Sequence, residues 1–196
     1  YCINKPWEWK IVVENTSGYS IWLIPAKPEF EYFQNLITHL SERGVAPEFS
    51  PHITLLGQLT QNVDWIKAKL IDFTQNIDPF QLSFSHIGMF DQFFRSIIMH
   101  THLNPILDRI HVRAMEQFEV KTNNTFVPHL SLLYSHLELA NKKLLMESIA
   151  IGSPLTVTIK EAVLVETNGA PGQWQEVIRI PFSWHKKKPR LPEAFS

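Results

Sequence analysis

Cysteine is nearly absent from this sequence, since Cys2 is the only one among 196 residues. The chain therefore cannot form an internal disulfide, and a zinc site built from several cysteines is disfavoured. Neither sign of charge dominates, because 18 Lys and Arg residues face 19 Asp and Glu residues and leave a formal net charge of −1. The chain thus lacks the overall positive charge that marks nucleic-acid-binding proteins, and phosphate recognition would have to come from a local site.

Long apolar runs are lacking as well. No stretch approaches the roughly 20 consecutive apolar residues that a membrane-spanning helix needs, so we expect no membrane partner. The shortage of cysteine is compatible with a reducing compartment, and we expect a cytoplasmic monomer.

The share of hydrophobic residues is 44%, which is ordinary for a globular protein. Along the chain, apolar residues alternate between the spacing of strands and the spacing of helices. Helices are predicted at about 29–43, 63–73, 105–118 and 138–150, and strands at about 19–24, 52–59, 80–85, 94–101, 126–134, 155–166 and 174–180. Gly44 suits the position after the first helix, and Asn104-Pro105 is typical of a helix start. The repeated order of elements predicts an α+β fold with two similar lobes, mainly antiparallel sheets facing a central cleft, and helices on the outside.

We predict a single domain over residues 1–182, in which residues 1–18 form a short strand or arm. Residues 183–196 form a basic C-terminal tail. Such a tail is usually solvated, and contact with RNA phosphates is the alternative interpretation.

A six-residue motif that occurs twice is the most informative feature of the sequence. Residues 51–56 read Pro-His-Ile-Thr-Leu-Leu, and residues 128–133 read Pro-His-Leu-Ser-Leu-Leu. The apolar residues favour a β-strand, on which side chains two positions apart point to the same face. The polar side chains that share a face within each motif are His52 with Thr54 and His129 with Ser131.

Two imidazoles and two hydroxyls around one cleft match the chemistry of phosphodiester hydrolysis. Water must lose a proton as it attacks, the leaving oxygen must gain one, and histidine suits both roles because its ordinary pKa is about 6.5. The hydroxyls can donate hydrogen bonds to the non-bridging oxygens, where charge accumulates. We therefore predict that His52 and His129 are catalytic and that Thr54 and Ser131 bind phosphate, with no metal or other cofactor.

Simpler interpretations compete with this one. A single His-x-Thr sequence on an apolar strand is most often a structural histidine, but two copies that share their neighbours favour a common active site. His100 and His102 have a strand spacing that can hold zinc, although no third ligand is evident nearby, and surface histidines explain the pattern more simply. The sequence contains no Gly-x-Ser-x-Gly elbow, which argues against Ser/His/Asp hydrolysis.

Three segments resemble the 2H phosphoesterase superfamily, whose members carry two His-x-Thr/Ser motifs on facing lobes. They are residues 19–25 (YSIWLIP), 126–134 (FVPHLSLLY) and 174–177 (WQEV). Their order and spacing are most similar to the cyclic phosphodiesterases of plants and yeast, over about residues 19–182. The resemblance implies the two-lobed, pseudo-symmetric 2H phosphoesterase fold.

The same resemblance implies metal-independent opening of small cyclic phosphates. The family's substrates are ADP-ribose 1″,2″-cyclic phosphate, a by-product of tRNA splicing, and nucleoside 2′,3′-cyclic phosphates. Tyr134 matches a tyrosine near the substrate, and Trp22 matches an early aromatic residue. For a 2′-monophosphate product the resemblance implies that His129 activates water and His52 is the acid, whereas the residue types alone leave both roles open.

The loop around Phe90, Phe93 and Phe94 differs in length from the family pattern. Aromatic side chains there could stack on a base, and we include Phe93 among the substrate-binding candidates, but the core is the commoner place for a phenylalanine.

The predicted partner is a small cyclic phosphate or nucleotide, and two other functions stay open. One is a 2H enzyme acting on RNA ends, as a cyclic-end hydrolase or a 2′–5′ ligase-like enzyme, although the near-neutral charge argues against long RNA. The other is a non-catalytic nucleotide-binding module. The presence of both motif histidines favours an enzyme.

Overall fold

The structure is a computed structural model that describes residues 13–147, 149 and 155–182. Most of the predicted N-terminal arm and the whole predicted basic tail lie outside the described residues. The elements in chain order are β1 (Tyr19–Pro25), α1 (Glu29–Gly44), β2 (Ile53–Leu59), α2 (Val63–Thr74), β3 (Phe80–Met89), β4 (Ile97–Thr101), α3 (Pro105–Gln117), β5 (His129–Leu133), α4 (Leu139–Glu147), β6 (Thr156–Glu166) and β7 (Gln175–Pro181).

These strands form one antiparallel sheet in the order β1-β2-β5-β4-β3-β6-β7. β1 also pairs with β6, so that six strands close into a ring. The length of β6 allows this closure, because its first residues pair with β3 and the rest pair with β1 on one edge and β7 on the other. The predicted α+β fold with antiparallel strands is confirmed, and the pairing of β2 with β5 joins its two halves.

Two helices begin at asparagine caps, one of them the start expected at Asn104-Pro105. Asn62 and Asn104 each accept hydrogen bonds from two backbone N–H groups of the first helical turn, at 2.9–3.3 Å. Pro105 then occupies the first position of α3, where its missing N–H costs nothing. The end of α1 differs from the prediction, because the helix includes Gly44 and ends at Val45, which adopts the left-handed conformation with a φ of 48°.

The hydrophobic core lies between the sheet and the helices. On α3 the buried face consists of Leu107, Ile110 and Ala114, at spacings of three and four residues. Ile106 precedes that face and is 43% exposed. Within the described residues, the helices are all too short or too polar to cross a membrane.

The connection between β3 and β4 also departs from the sequence reading. β4 begins at Ile97 rather than at Phe94, because a single 3₁₀ turn at Phe93–Arg95 comes first. Lys142 on α4 fastens this 90–96 loop by donating a hydrogen bond from Nζ to the carbonyl oxygen of Phe90 at 2.6 Å. The loop therefore presents its side chains beside β5.

Candidate active site

The two motifs meet where β2 pairs with β5. The pairing is antiparallel and joins Ile53 to Leu130, the residues that stand between histidine and hydroxyl in each motif. One residue farther along each strand, the histidine of each motif lies across from the hydroxyl residue of the other, with all four side chains on one face. The polar side chains brought together in this way are His52, Thr54, His129 and Ser131.

Both imidazoles are held in the same orientation. Nδ1 of His52 lies 2.7 Å from the carbonyl oxygen of Ser50, and Nδ1 of His129 lies 2.8 Å from that of Val127. A carbonyl oxygen only accepts hydrogen bonds, so Nδ1 carries a proton in both rings and the lone pair of the neutral form is on Nε2. Each motif thus presents the same ring nitrogen for proton transfer.

His52 is the more deeply buried histidine of the two. Its side chain is 5% exposed, and the indole of Trp22 stacks on its ring at 3.7 Å between centroids and 8° between planes. Burial lowers the pKa of His52 to about 4, aided by the like charge of His129 and opposed by the hydrogen bond to the Ser50 carbonyl. Free His52 is therefore neutral at neutral pH.

His129 sits in a more open position with cationic neighbours. Burial is the main cause that lowers its pKa, and the positive charges of Arg95 and His100 lower it further, while the hydrogen bond to the Val127 carbonyl opposes the shift. An anion bound near His129 would relieve this repulsion and favour its protonated form.

The hydroxyl of Ser131 is linked to neighbouring groups. It donates a hydrogen bond to the carbonyl oxygen of Phe94 at 3.1 Å and also interacts with the hydroxyl of Tyr134. Burial raises the pKa of Tyr134, opposed by its hydrogen bond with Ser131, so the phenol keeps its proton. Tyr134 is held in place by the ring of Phe49, which stacks on it at 3.7 Å.

These groups line an open cavity of about 340 Å³. Phe93 does not line it, because its side chain is 2% exposed and packs behind Tyr134 at 6.1 Å between ring centroids. The neighbouring Phe94 lines the cavity instead. The candidates from sequence that the structure brings together around it are Trp22, His52, Thr54, His129, Ser131 and Tyr134.

A family model described as cyclic phosphodiesterase-like protein matches residues 17–174, which include both motifs. The chain belongs to the cyclic phosphodiesterase-like family. It is thus a phosphodiesterase of the 2H superfamily, as the resemblance implied.

Individual relatives agree with this family. The cyclic phosphodiesterase of Arabidopsis thaliana is 23% identical over 125 residues, which are 64% of this chain and 69% of that protein. LigT of E. coli, solved in complex with 3′-AMP, has a similar fold, with a TM-score of 0.59, 16% identity and coverage of 86% of this chain and 99% of LigT. A protein of Thermus thermophilus has a TM-score of 0.57 at 11% identity, with 85% and 98% of the two chains covered.

Sequence reasoning missed several cavity residues of this family member. The additional lining residues that bear on its chemistry are Ser20, Gln58, Arg95, Thr167 and Trp174. Ser20 could have been found from strand alternation, because it lies two positions before Trp22 on β1. Gln58 could not, because its left-handed φ of 58° arises at an irregularity in the pairing of β1 with β2.

The zinc alternative gains no third ligand from the fold. Within residues 13–147, 149 and 155–182, no three or more His, Cys, Asp or Glu side chains come together in an arrangement that could hold a metal ion. His100 instead stacks on His86, with ring centroids 4.5 Å apart.

Proposed function

We propose that this phosphodiesterase hydrolyses small cyclic phosphates to monophosphates by means of its two motifs, without a metal ion, and that nucleoside 2′,3′-cyclic phosphates give the 2′-monophosphate. The candidate substrates are nucleoside 2′,3′-cyclic phosphates and ADP-ribose 1″,2″-cyclic phosphate. The observation that carries the proposal is the pairing of Ile53 with Leu130, which gathers two histidines and two hydroxyls on one face. The binding of 3′-AMP by LigT, a protein of similar fold, supports a nucleotide-sized substrate.

The reaction needs one neutral and one protonated imidazole. The neutral ring takes a proton from water through Nε2 as the water oxygen attacks phosphorus, and the protonated ring gives its proton to the departing ribose oxygen as the P–O bond breaks. The hydroxyls of Thr54 and Ser131 donate to the non-bridging oxygens, once Ser131 turns away from the Phe94 carbonyl. The products are a phosphate monoester and a free ribose hydroxyl.

We assign His129 as the base and His52 as the acid. The buried His52 has its pKa lowered to about 4, so its protonated form is the stronger proton donor. The less buried His129 is the stronger base of the pair. Only a small fraction of the free enzyme carries this protonation state, because the more open His129 takes up a proton at a higher pH than the buried His52 does.

The assignment can be tested with a 2′,3′-cyclic analogue in which sulfur replaces the 3′ oxygen. A thiolate leaves without a proton donor, so the variant that lacks the acid should be largely rescued on this analogue and the variant that lacks the base should not. Rescue of His52→Asn supports the assignment. Rescue of His129→Asn alone would reverse the two roles.

The function itself is tested by phosphorus NMR of the full chain with each candidate substrate in the presence of a chelator. Conversion of the cyclic signal to a single monoester signal is expected, which is the 2′-monoester for a nucleoside 2′,3′-cyclic phosphate, with His129→Asn as the control for contaminating enzymes. If the folded chain turns over neither substrate, the proposal fails. If activity is lost in chelator and returns with zinc, the metal-independent mechanism fails.

A further inference from the structure

Three histidines form a row across neighbouring strands on the cavity side of the sheet. His129 on β5 pairs directly with His100 on β4, and His100 pairs directly with His86 on β3. Directly paired residues in antiparallel strands have their side chains on the same face. This histidine row therefore begins at a catalytic residue and leads away from it over two inter-strand spacings, about 10 Å.

The outer part of the row is open to solvent and ordered by ring packing. His86 is exposed and its ring stacks on that of His100 at 4.5 Å and 19°. Gly88 makes room for this arrangement, because a Cβ at that position would lie 2.7 Å from Nε2 of His100 and 2.6 Å from the ring of Phe90. The glycine thus lets the imidazole of His100 lie against the backbone of β3.

In the part of the chain that the structure describes, the cationic groups of the row form no ion pair with a carboxylate. Arg95 lines the cavity together with His129, and its charge lowers the pKa of both His129 and His100. Burial is the main cause of the lowered pKa of His100. The charged groups that contribute to the pKa shifts of His100 and His129 are all cationic. Among the described residues no carboxylate is within ion-pair distance of Arg95, although Glu14 and Asp91 line the recess on its other side.

We propose that His86, His100 and Arg95 bind a second phosphate of the substrate, attached to the 5′ carbon of the ribose that carries the cyclic phosphate. This inference rests on the proposed function, since it extends that site. A guanidinium and imidazole N–H groups are suited to phosphate oxygens, and the row is one strand spacing away from the reacting group. Stacked histidines beside an arginine repel one another when protonated, and an anion between them removes that repulsion.

Several molecules contain this chemistry. A nucleoside 2′,3′-cyclic phosphate with a 5′-phosphate carries the second group as a monoester, a short RNA end carries it as a diester, and ADP-ribose 1″,2″-cyclic phosphate carries it as a diphosphate. A nucleoside 2′,3′-cyclic phosphate without a 5′-phosphate lacks it. The row therefore predicts a preference for the first three.

The binding test uses product analogues, so that it does not depend on turnover. Calorimetric titration of the full chain with adenosine 2′-phosphate and with adenosine 2′,5′-bisphosphate gives two dissociation constants. We expect the bisphosphate to bind about 3-fold to 10-fold more tightly, and the advantage to shrink as salt is added. Equal affinities at low salt would overturn the proposal.

Variants then test whether the tighter binding of the bisphosphate depends on the histidine row. His86→Gln and His100→Gln should each reduce the affinity ratio toward one, and Gly88→Ala should do the same because it displaces the His100 ring without changing any charge. His39→Gln, an exposed histidine on α1, is the matched control and should keep the ratio. A ratio that survives both His86→Gln and His100→Gln in folded protein would overturn the proposal, because the second phosphate would then bind elsewhere.

Kinetic measurements show which form of the second phosphate is preferred, and they test the hydrolase proposal and the second phosphate site separately. We would measure kcat/KM for four substrates: adenosine 2′,3′-cyclic phosphate, its 5′-phosphorylated form, the dinucleotide with a cyclic end and ADP-ribose 1″,2″-cyclic phosphate. The last three values show whether the site prefers the second phosphate as a monoester, a diester or a diphosphate. If none is hydrolysed but the bisphosphate still binds more tightly through the row, the hydrolase proposal fails and the second phosphate site stands. If the first is hydrolysed as fast as the other three, the hydrolase stands and the row is not a substrate site.

Discussion

Replacing Trp22 with alanine should raise the pKa of His52. The indole lies parallel to the imidazole at 3.7 Å and separates the catalytic cavity from a second recess, lined in part by Glu48 and Phe49. Without the indole the two spaces join and water reaches the ring of His52. Because burial is the main cause of the lowered pKa, its value should return from about 4 toward 6.5.

The lowered pKa of His52 also makes the stability of the fold depend on pH. Between pH 6.5 and about 4 the unfolded chain binds a proton at His52 that the folded chain does not bind, so stability rises with pH across this window and is lost on acidification. At 1.36 kcal/mol per pKa unit, the wild-type protein should lose roughly 3 kcal/mol through this one group. In Trp22→Ala the loss on acidification should be much smaller, although the cavity itself costs about 3–5 kcal/mol at every pH.

The assay is an NMR titration of ¹³C-labelled histidines from pH 3.5 to 8, with His52 assigned from the His52→Gln spectrum. Trp22→Leu fills more of the space and should give an intermediate pKa if the alanine variant proves too unstable. Trp174→Ala is the matched control, because Trp174 also lines the cavity but contacts Trp22 edge-on at 5.7 Å. If His52 titrates near 6.5 in the wild type, or does not move in either folded Trp22 variant, the burial argument is refuted.

Three further changes test other parts of the structure. His52→Asn and His129→Asn should each lower kcat by about 10²–10⁴-fold with unchanged circular dichroism, and near-normal turnover in both would remove the two-histidine mechanism. Thr54→Val and Ser131→Ala each remove one donor and should cost at most about 10²–10³-fold in steady-state kinetics, so losses above that would mean the hydroxyls do more than donate. Lys142→Met leaves a carbonyl of the 90–96 loop without its donor and should lower the urea unfolding free energy by about 1–3 kcal/mol; an unchanged value would show that water replaces the ammonium.

The common orientation of histidine and hydroxyl within each motif follows from local sequence rules. Side chains two positions apart share a face of a strand, so each motif predicts that its histidine and hydroxyl point together. The helix caps at Asn62 and Asn104 are equally local, because an amide side chain reaches only the first turn of its own helix. Such features depend on neighbours in the chain and could therefore be predicted.

The surroundings of the site depend on contacts distant in sequence and could not be predicted. Arg95 reaches the cavity because a 3₁₀ turn interrupts the approach to β4 and Lys142, 47 positions later, fastens the loop. The same turn buries Phe93, which we included among the substrate-binding candidates, and exposes Phe94 to the cavity. A strand pattern read from apolar residues alone cannot distinguish these two neighbours.

The two motifs are nearly identical in sequence and differ mainly in what packs against them. Each has a backbone carbonyl that holds Nδ1, so the two rings are equivalent in orientation. Trp22 then shields His52 from water, whereas His129 faces Arg95 and His100. Hydrolysis needs one protonated and one neutral imidazole, and two rings in identical surroundings would share the proton equally. In this fold the asymmetry therefore comes from side chains outside the motifs, and substitutions there should alter the division of roles while leaving both histidines in place.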